Sequence, residues 1–446
     1  MKKRGMTRTT DSIIDLDALR KQCEQNKPLN PQVCQECLQR LQDELHATHD
    51  SGREIELLRF LVGCCMNTSR FDQAEAYLRR ILERVEKGYA LPTLDMIYNA
   101  LGRIDLIKCN FQEAVQHFQK GLELSEQKGS LDNAAGLCMN LSGAYNHLGK
   151  SDLGLFYIKK AMSILSETGN LPLLNLVKCN YSNLLFGEGK LEEAITIKLE
   201  CITFYEEKNN LLQVAKEKNN LASIYNSMGN LEKAIASILE SLKIREELQD
   251  EAGIATNWLN LGVFYRELGK DAAALGYYEK ALAYYRKVDD KQSIPLCLNN
   301  IGNYYLDSGQ YEKALEYLLE ARKLKLEIED LSGLDITLDN ISLIYKDFFH
   351  DYPVAKEYLS EALRINQKTQ NEYNRCRIYL RLADVQTRLR QFKEAWDNTE
   401  SALNLIEKHD YAKLKPDLFL VRADINEAQG DLGSACGNLR EYNRLT

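Results

Sequence analysis

Proline is scarce in this chain, with seven in 446 residues. Proline removes a backbone donor and clashes inside helices, so a supply this thin fits a mostly helical protein. Long apolar runs are missing too. FLVGCCM (60–66) is among the longest, at seven residues. A membrane-spanning helix needs roughly 18 or more, so no membrane partner is expected. The N-terminal MKKRGMTRTTDS is basic, but no apolar stretch follows it, which argues against a secretory signal. Net charge is −8 and the isoelectric point about 5.6. Such a surface has no global positive field to draw in nucleic acid. Catalytic signatures are absent as well: no phosphate-binding loop, dinucleotide fingerprint, H-E-x-x-H or nucleophile elbow occurs. His117, His147, His350 and His409 are scattered. The expectation is a protein that is not an enzyme and takes no cofactor.

What the chain does have is a globular composition, 44% hydrophobic and 27% charged. Its twelve cysteines fall mostly where small apolar residues recur. With no export signal, reduced thiols and a cytoplasmic location are expected. Cys34, Cys37, His46 and His49 invite a zinc reading. All four lie on one expected helix, however, where His46 stands about 18 Å along the axis from Cys34. Cys34, Leu38, Leu41 and Leu45 form a plain apolar stripe, so no metal site is expected. The vicinal Cys64-Cys65 pair sits in a core run.

Small residues recur in one phase through most of the chain: Ala74, Ala114, Gly154, Ala194, Ala234, Ala274, Ala314, Ala355, Ala395 and Ala435. The spacing is 40, with one insertion before Ala355. Seven residues after most of these anchors comes a second small residue, such as Ala161, Ser241 or Ala281. Twelve before comes a third, such as Gly102, Ser182, Gly262 or Gly302. Nine before come Tyr145, Tyr225, Tyr265 and Tyr305. A glycine turn such as LGK (268–270) or SGQ (308–310) separates the halves. This spells a helical hairpin repeated about ten times. Small residues let the helices cross closely, and glycine supplies the positive φ that ends the first helix. Asp250 and Asp290 are expected N-caps. One hairpin cannot bury its apolar face alone, so neighbours stack.

These columns resemble the tetratricopeptide repeat over roughly residues 51–446, most specifically in repeats four to eight. The chain departs from that pattern in its 40-residue period, in lacking the inter-repeat proline, and in Cys65, Asp105, Gln386 and Asn426 at the tyrosine column. The longer form is similar to kinesin light chain, the Leu-Gly-Asn-repeat adaptors, and bacterial peptide-pheromone receptors and signalling sensors, and does not choose among them. The resemblance implies an all-α, right-handed superhelical solenoid of about nine to ten hairpins. Three segments are expected: a mobile basic tail at 1–10, a helical hairpin or cap at 11–50, and the solenoid at 51–446. Beyond GDLGSACGNLREYNRLT (430–446), two readings stand: the polar residues of this helix cap the stack, or the natural chain continues. The FFHDYP insertion (348–353) either offers aromatics as a contact point or packs them on adjacent helices.

The strongest constellation is a ladder fourteen residues before each anchor: Asn140, Asn180, Asn220, Asn260, Asn300 and, allowing for the insertion, Asn340. Asn183, Asn303, Lys216, Arg266 and Lys346 flank it. An amide donates and accepts, so a row of amides can hold the main chain of a partner without demanding particular side chains. The resemblance places this row on the concave face. Two roles remain open, contact with a ligand or hydrogen bonds that stiffen the stack. The expected function is non-catalytic capture of a protein or peptide segment in the groove. The alternative is the sensory part of a bacterial signalling protein whose output domain is not in this chain. The terminal repeats are candidate homodimer surfaces.

Overall fold

The computed structural model of the chain describes residues 39–446, apart from Ala47, His49, Ser69, Pro92, Glu329, Gln370 and Asp410. The expected tail at 1–10, most of the segment at 11–50, and Cys34 and Cys37 lie outside the described residues. The described chain is helical and falls into two compact units, divided between Lys208 and Asn209.

Each small-residue anchor sits on the second helix of a hairpin, as the 40-residue phase requires. The first unit carries four hairpins: α1 (Ser51–Asn67) with α2 (Phe71–Glu86), α3 (Leu94–Ile107) with α4 (Phe111–Gln127), α5 (Leu131–His147) with α6 (Ser151–Thr168), and α7 (Leu171–Gly187) with α8 (Leu191–Glu207). Helical residues 39–46 precede them, and Leu41 and Leu45 join the core of Leu57, Leu58 and Leu61 on α1. The second unit carries six: α9 (Leu211–Ser227) with α10 (Leu231–Glu247), α11 (Glu251–Glu267) with α12 (Asp271–Lys287), α13 (Ser293–Asp307) with α14 (Tyr311–Glu327), α15 (Leu334–Asp347) with α16 (Tyr352–Thr369), α17 (Glu372–Arg388) with α18 (Phe392–His409), and α19 (Lys415–Gln429) with α20 (Leu432–Leu445). Odd-numbered helices are the A helices and even-numbered ones the B helices. Each unit is an all-α stack of hairpins, the build of a helical solenoid.

The columns do what their size allows. Eight alanine anchors, Ala74 through Ala395, are fully buried at the A–B crossing. The glycines twelve residues before an anchor make room for a large side chain four residues after it. A Cβ on Gly102 would lie 2.6 Å from the Phe118 ring, and one on Gly262 would lie 2.4 Å from the Tyr278 ring. Ser182 in the same column donates to the Ala194 carbonyl at 2.7 Å. Tyr145, Tyr265 and Tyr305 stack on Tyr157, Tyr277 and Tyr317 of their own B helices. Asp250 caps α11, accepting from the Gly253 amide at 3.1 Å; Gln292 holds the N-cap position of α13, and Asp290, two residues earlier, accepts from the Ser293 amide at 3.0 Å. The insertion packs its rings: Phe348 stacks on Tyr311 at 4.9 Å and Phe349 lies 5.3 Å from Tyr345, while both keep an exposed edge.

Among the described residues, no helix is long and apolar enough to cross a membrane, and no cluster of three metal-ligating side chains occurs. His46 is exposed on its helix. Burial pushes the Cys138 and Cys376 thiols up to about 11 and Cys297 up to about 12. Cys65 is also buried and raised. Cysteines in these positions are packing residues with little thiolate at neutral pH.

Candidate partner-binding face

The asparagine ladder runs along the A helices, half-buried at every rung except Asn340, which is buried. Its donors point along the stack. Asn140 donates from Nδ2 to Asn99 Oδ1 at 2.8 Å, and Asn260 donates to Asn219 Oδ1 at 2.9 Å. Asn180 meets the Met139 sulfur at 3.0 Å. In each case the partner is the residue just before the rung position of the preceding hairpin. The rung is therefore first a lock between successive A helices. Asn340 makes a variant of the same lock, donating to Asn303 Oδ1 at 2.7 Å, while Thr337 takes the usual partner position, Asn299, at 3.0 Å.

Two rungs differ. Asn220 turns within its own helix to Glu217 at 3.3 Å. Asn300 makes no hydrogen bond to any described residue. Its column partner is Leu259, a side chain with no acceptor. On the same helix, the oxygens of Asn299 and Asn303 accept from Thr337 and Asn340, and their NH2 groups have no hydrogen-bond partner among the described residues. Helix α13 thus carries one whole amide and two NH2 groups without partners within five residues. Leu296, one turn earlier, is exposed.

The ladder has a seventh rung that an asparagine search misses. Arg381 stands fourteen residues before Ala395 and pairs through Nε with Asp339, the residue preceding Asn340, at 3.0 Å. Arg377 approaches the same carboxylate at 3.2 Å. Asp339 is almost wholly enclosed, and burial lifts its carboxyl above the ordinary value in spite of Arg381 and Arg377. Reading the column by hydrogen-bonding capacity rather than by residue type would have found this rung.

A second row of locks engages the basic candidates. Arg266 donates to Asp307 at 2.6 Å, and Asn226 to Glu267 at 3.0 Å. Lys346 donates to Asp384 at 2.6 Å and lies 3.2 Å from Asp347. Burial alone would lower the Lys346 ammonium, but these two carboxylates raise it. Asn183 accepts from the buried Lys198 at 3.0 Å. Lys216 is exposed and has no ion pair among the described residues. Of the eleven candidates, then, Asn300 and Lys216 are unengaged, Asn303 is half-engaged, and the others bond to neighbours.

The tetratricopeptide repeat model matches residues 53–127, 214–287 and 253–327, and the model of anaphase-promoting complex subunit 5 matches residues 302–374 and 344–421. Overlapping matches start one repeat apart. No curated protein sequence matches the chain. Among solved structures, a Signal Transduction ATPase with Numerous Domains carrying a tetratricopeptide repeat sensor, from Pyrococcus horikoshii, is similar at 17% identity with a TM-score of 0.54. That match covers 79% of this chain, which spans only 52% of the archaeal protein. Aspartyl phosphate phosphatase F from Bacillus subtilis is similar at 14% identity and TM-score 0.52, covering 80% and 94% of the two chains. A Rap protein complexed with competence and sporulation factor is similar at 16% and 0.50, covering 88% and 96%. At such identities the likeness is one of fold. Repeat models, hairpin columns and fold agree that residues 53–127 and 214–327 of this chain are tetratricopeptide repeats.

Proposed function

We propose that this protein is a non-catalytic, intracellular binding module that seats an extended segment of a protein partner on the A-helix face of its second unit, centred on α13. The observation that carries this reading is Asn300, a half-buried amide left without a partner where the rungs on either side, Asn260 and Asn340, bond along the stack. A polar group in that setting gains from a ligand that completes its hydrogen bonds. The NH2 groups of Asn299 and Asn303 add donors for main-chain carbonyls, and Leu296 offers apolar area for a side chain. The Rap protein and the sensor-bearing signalling ATPase share this fold, which favours a regulatory setting for such capture.

Peptides selected from a displayed random library against the full chain provide the test. Asn300→Ala is expected to weaken the selected peptides about tenfold, about 1.4 kcal/mol, with the melting temperature unchanged. Asn260→Ala is expected to behave the other way. Loss of its bond to Asn219 lowers stability by about 1 kcal/mol and leaves peptide affinity within about twofold. Affinity indifferent to Asn300→Ala would overturn the proposed seat.

A further inference from the structure

Among the described A helices, α13 alone carries amides at the rung, at the residue before it and at the residue three after it: Asn300, Asn299 and Asn303. The three are not equivalent. Thr337 Oγ1 donates to Asn299 Oδ1 at 3.0 Å, and Asn340 Nδ2 donates to Asn303 Oδ1 at 2.7 Å. Both donors belong to α15 and both are buried, Thr337 fully. Thr337 Oγ1 also lies 3.2 Å from the Gly333 carbonyl one turn earlier, so it is held from two sides. Each bond engages the oxygen end of a carboxamide, and what that amide has left to give is its N–H donors. Asn300 is engaged at neither end, so its oxygen is free to accept. The unbonded ends of these half-buried amides reach solvent, since none of them is a sealed polar atom lacking a partner. Along the helix, α13 therefore offers donor, acceptor, donor.

An extended chain carries the complement. Along one edge of a strand, the carbonyl of residue n is followed by the N–H and then the carbonyl of residue n+2. Two such carbonyls stand about 6.6–6.8 Å apart. Asn299 and Asn303 are separated by about 6 Å along the helix axis, and Asn300 lies between them in height. The spacing and the order of donors and acceptors both match.

We infer that α15 sets the polarity of the α13 seat: Thr337 and Asn340 are positioning residues that hold Asn299 and Asn303 as donors, so that an extended segment running along α13 is taken by two alternate main-chain carbonyls and by the single N–H between them, which Asn300 accepts. This inference rests on the partner seat at α13 and specifies its selectivity. Addition of a strand to a sheet edge uses main-chain N–H groups at every second residue, whereas this seat uses one. The partner is an extended segment in which proline, which has no N–H, is accepted at every contacting residue but that one.

Two substitutions that add the same charge to the same helix separate donor from acceptor. Asn303→Asp keeps an oxygen for Asn340 and removes the NH2, whereas Asn300→Asp keeps an acceptor. For peptides selected against the full chain, Asn303→Asp is expected to weaken binding about tenfold or more and Asn300→Asp to stay within about threefold, both with the wild-type melting temperature. With the unaltered chain, N-methylation of the peptide one residue at a time is expected to reduce binding sharply at a single position. Thr337→Val is expected to weaken binding about threefold, and that loss is expected to vanish in an Asn299→Ala background. A loss that persists in that background makes Thr337 a packing residue only and overturns its positioning role. Equal losses in the two Asp variants, a larger loss in Asn300→Asp, or N-methyl sensitivity at every second residue overturns the polarity. Any of these together with weakened binding by Asn300→Ala leaves the seat standing. Peptides indifferent to Asn300→Ala and to both Asp variants remove the seat and its polarity together.

Discussion

Glycine and a ring share one space in this protein. Gly102 faces Phe118, Gly262 faces Tyr278, and Gly302 faces Leu318 with a virtual Cβ 2.8 Å from its Cγ. Where the B helix carries Ile158 or Ile238 instead, the A helix carries Ser142 or Ala222. The pair conserves volume across the crossing, as a close-packed interior demands. Tyr278 has no slack, because its side chain is buried and its ring lies on the Gly262 backbone. Gly262→Ala is therefore expected to destabilise by about 1–3 kcal/mol through overpacking, measured as a lower urea midpoint. Gly262→Ala combined with Tyr278→Leu is expected to recover part of that loss. The column of small residues is plain in the sequence. Its size-matched partner sixteen residues later is not, since that pairing is a fact of how two helices cross.

Between elements, single polar side chains act as pins. Asp95 on α3 is buried and accepts from Ser125 and Lys128 at the end of the α4 region and from Asn133 on α5, at 3.0, 2.9 and 3.0 Å. Burial alone would raise its carboxyl, but the bonds from Lys128, Asn133 and Ser125 outweigh burial and hold it below the ordinary value. A lowered acid stabilises the fold above its unfolded value of 3.8 and loses that contribution as pH falls through the folded value. Asp95→Asn is expected to lower stability at pH 7 by about 1–3 kcal/mol. It should also flatten the fall in melting temperature on acidification below about pH 4, the ordinary carboxylate range. Turns carry a different constraint. Gly309 adopts φ 70°, and the same turn in later hairpins forces His350 to 54° and Arg390 to 57°. The left-handed conformation costs a side chain roughly 1–2 kcal/mol, and glycine's extra unfolded freedom offsets part of this. Arg390→Gly is therefore expected to raise the melting temperature slightly, whereas Gly309→Ala lowers it.

At the scale of the whole molecule, stability is a sum over neighbours. Substantial contacts join helices adjacent or next-but-one along the chain, the pattern of a quasi-one-dimensional array. The second unit holds six hairpins with cores of their own around Tyr278, Leu318, Leu359 and Leu418. Residues 209–446 produced alone are expected to keep helical circular dichroism and melt cooperatively. Loss of helix in that fragment would show that its hairpins depend on the rest of the chain.

The sequence by itself determined the hairpins, their number, their small-residue crossings and the existence of an amide ladder. These are periodic properties, and a 40-residue phase displays them directly. The tertiary structure alone decided what the ladder does at each rung. Stacking offsets successive A helices, so a rung meets the residue before its counterpart in the previous hairpin rather than the counterpart itself. That register decides that Asn260 reaches Asn219, that Arg381 continues the ladder on Asp339, and that Arg266 and Lys346 are tied to Asp307 and Asp384. It also sets Asn300 opposite Leu259, where no acceptor exists. Which amides remain for a partner is thus a matter of helix packing, and no spacing within one chain displays it.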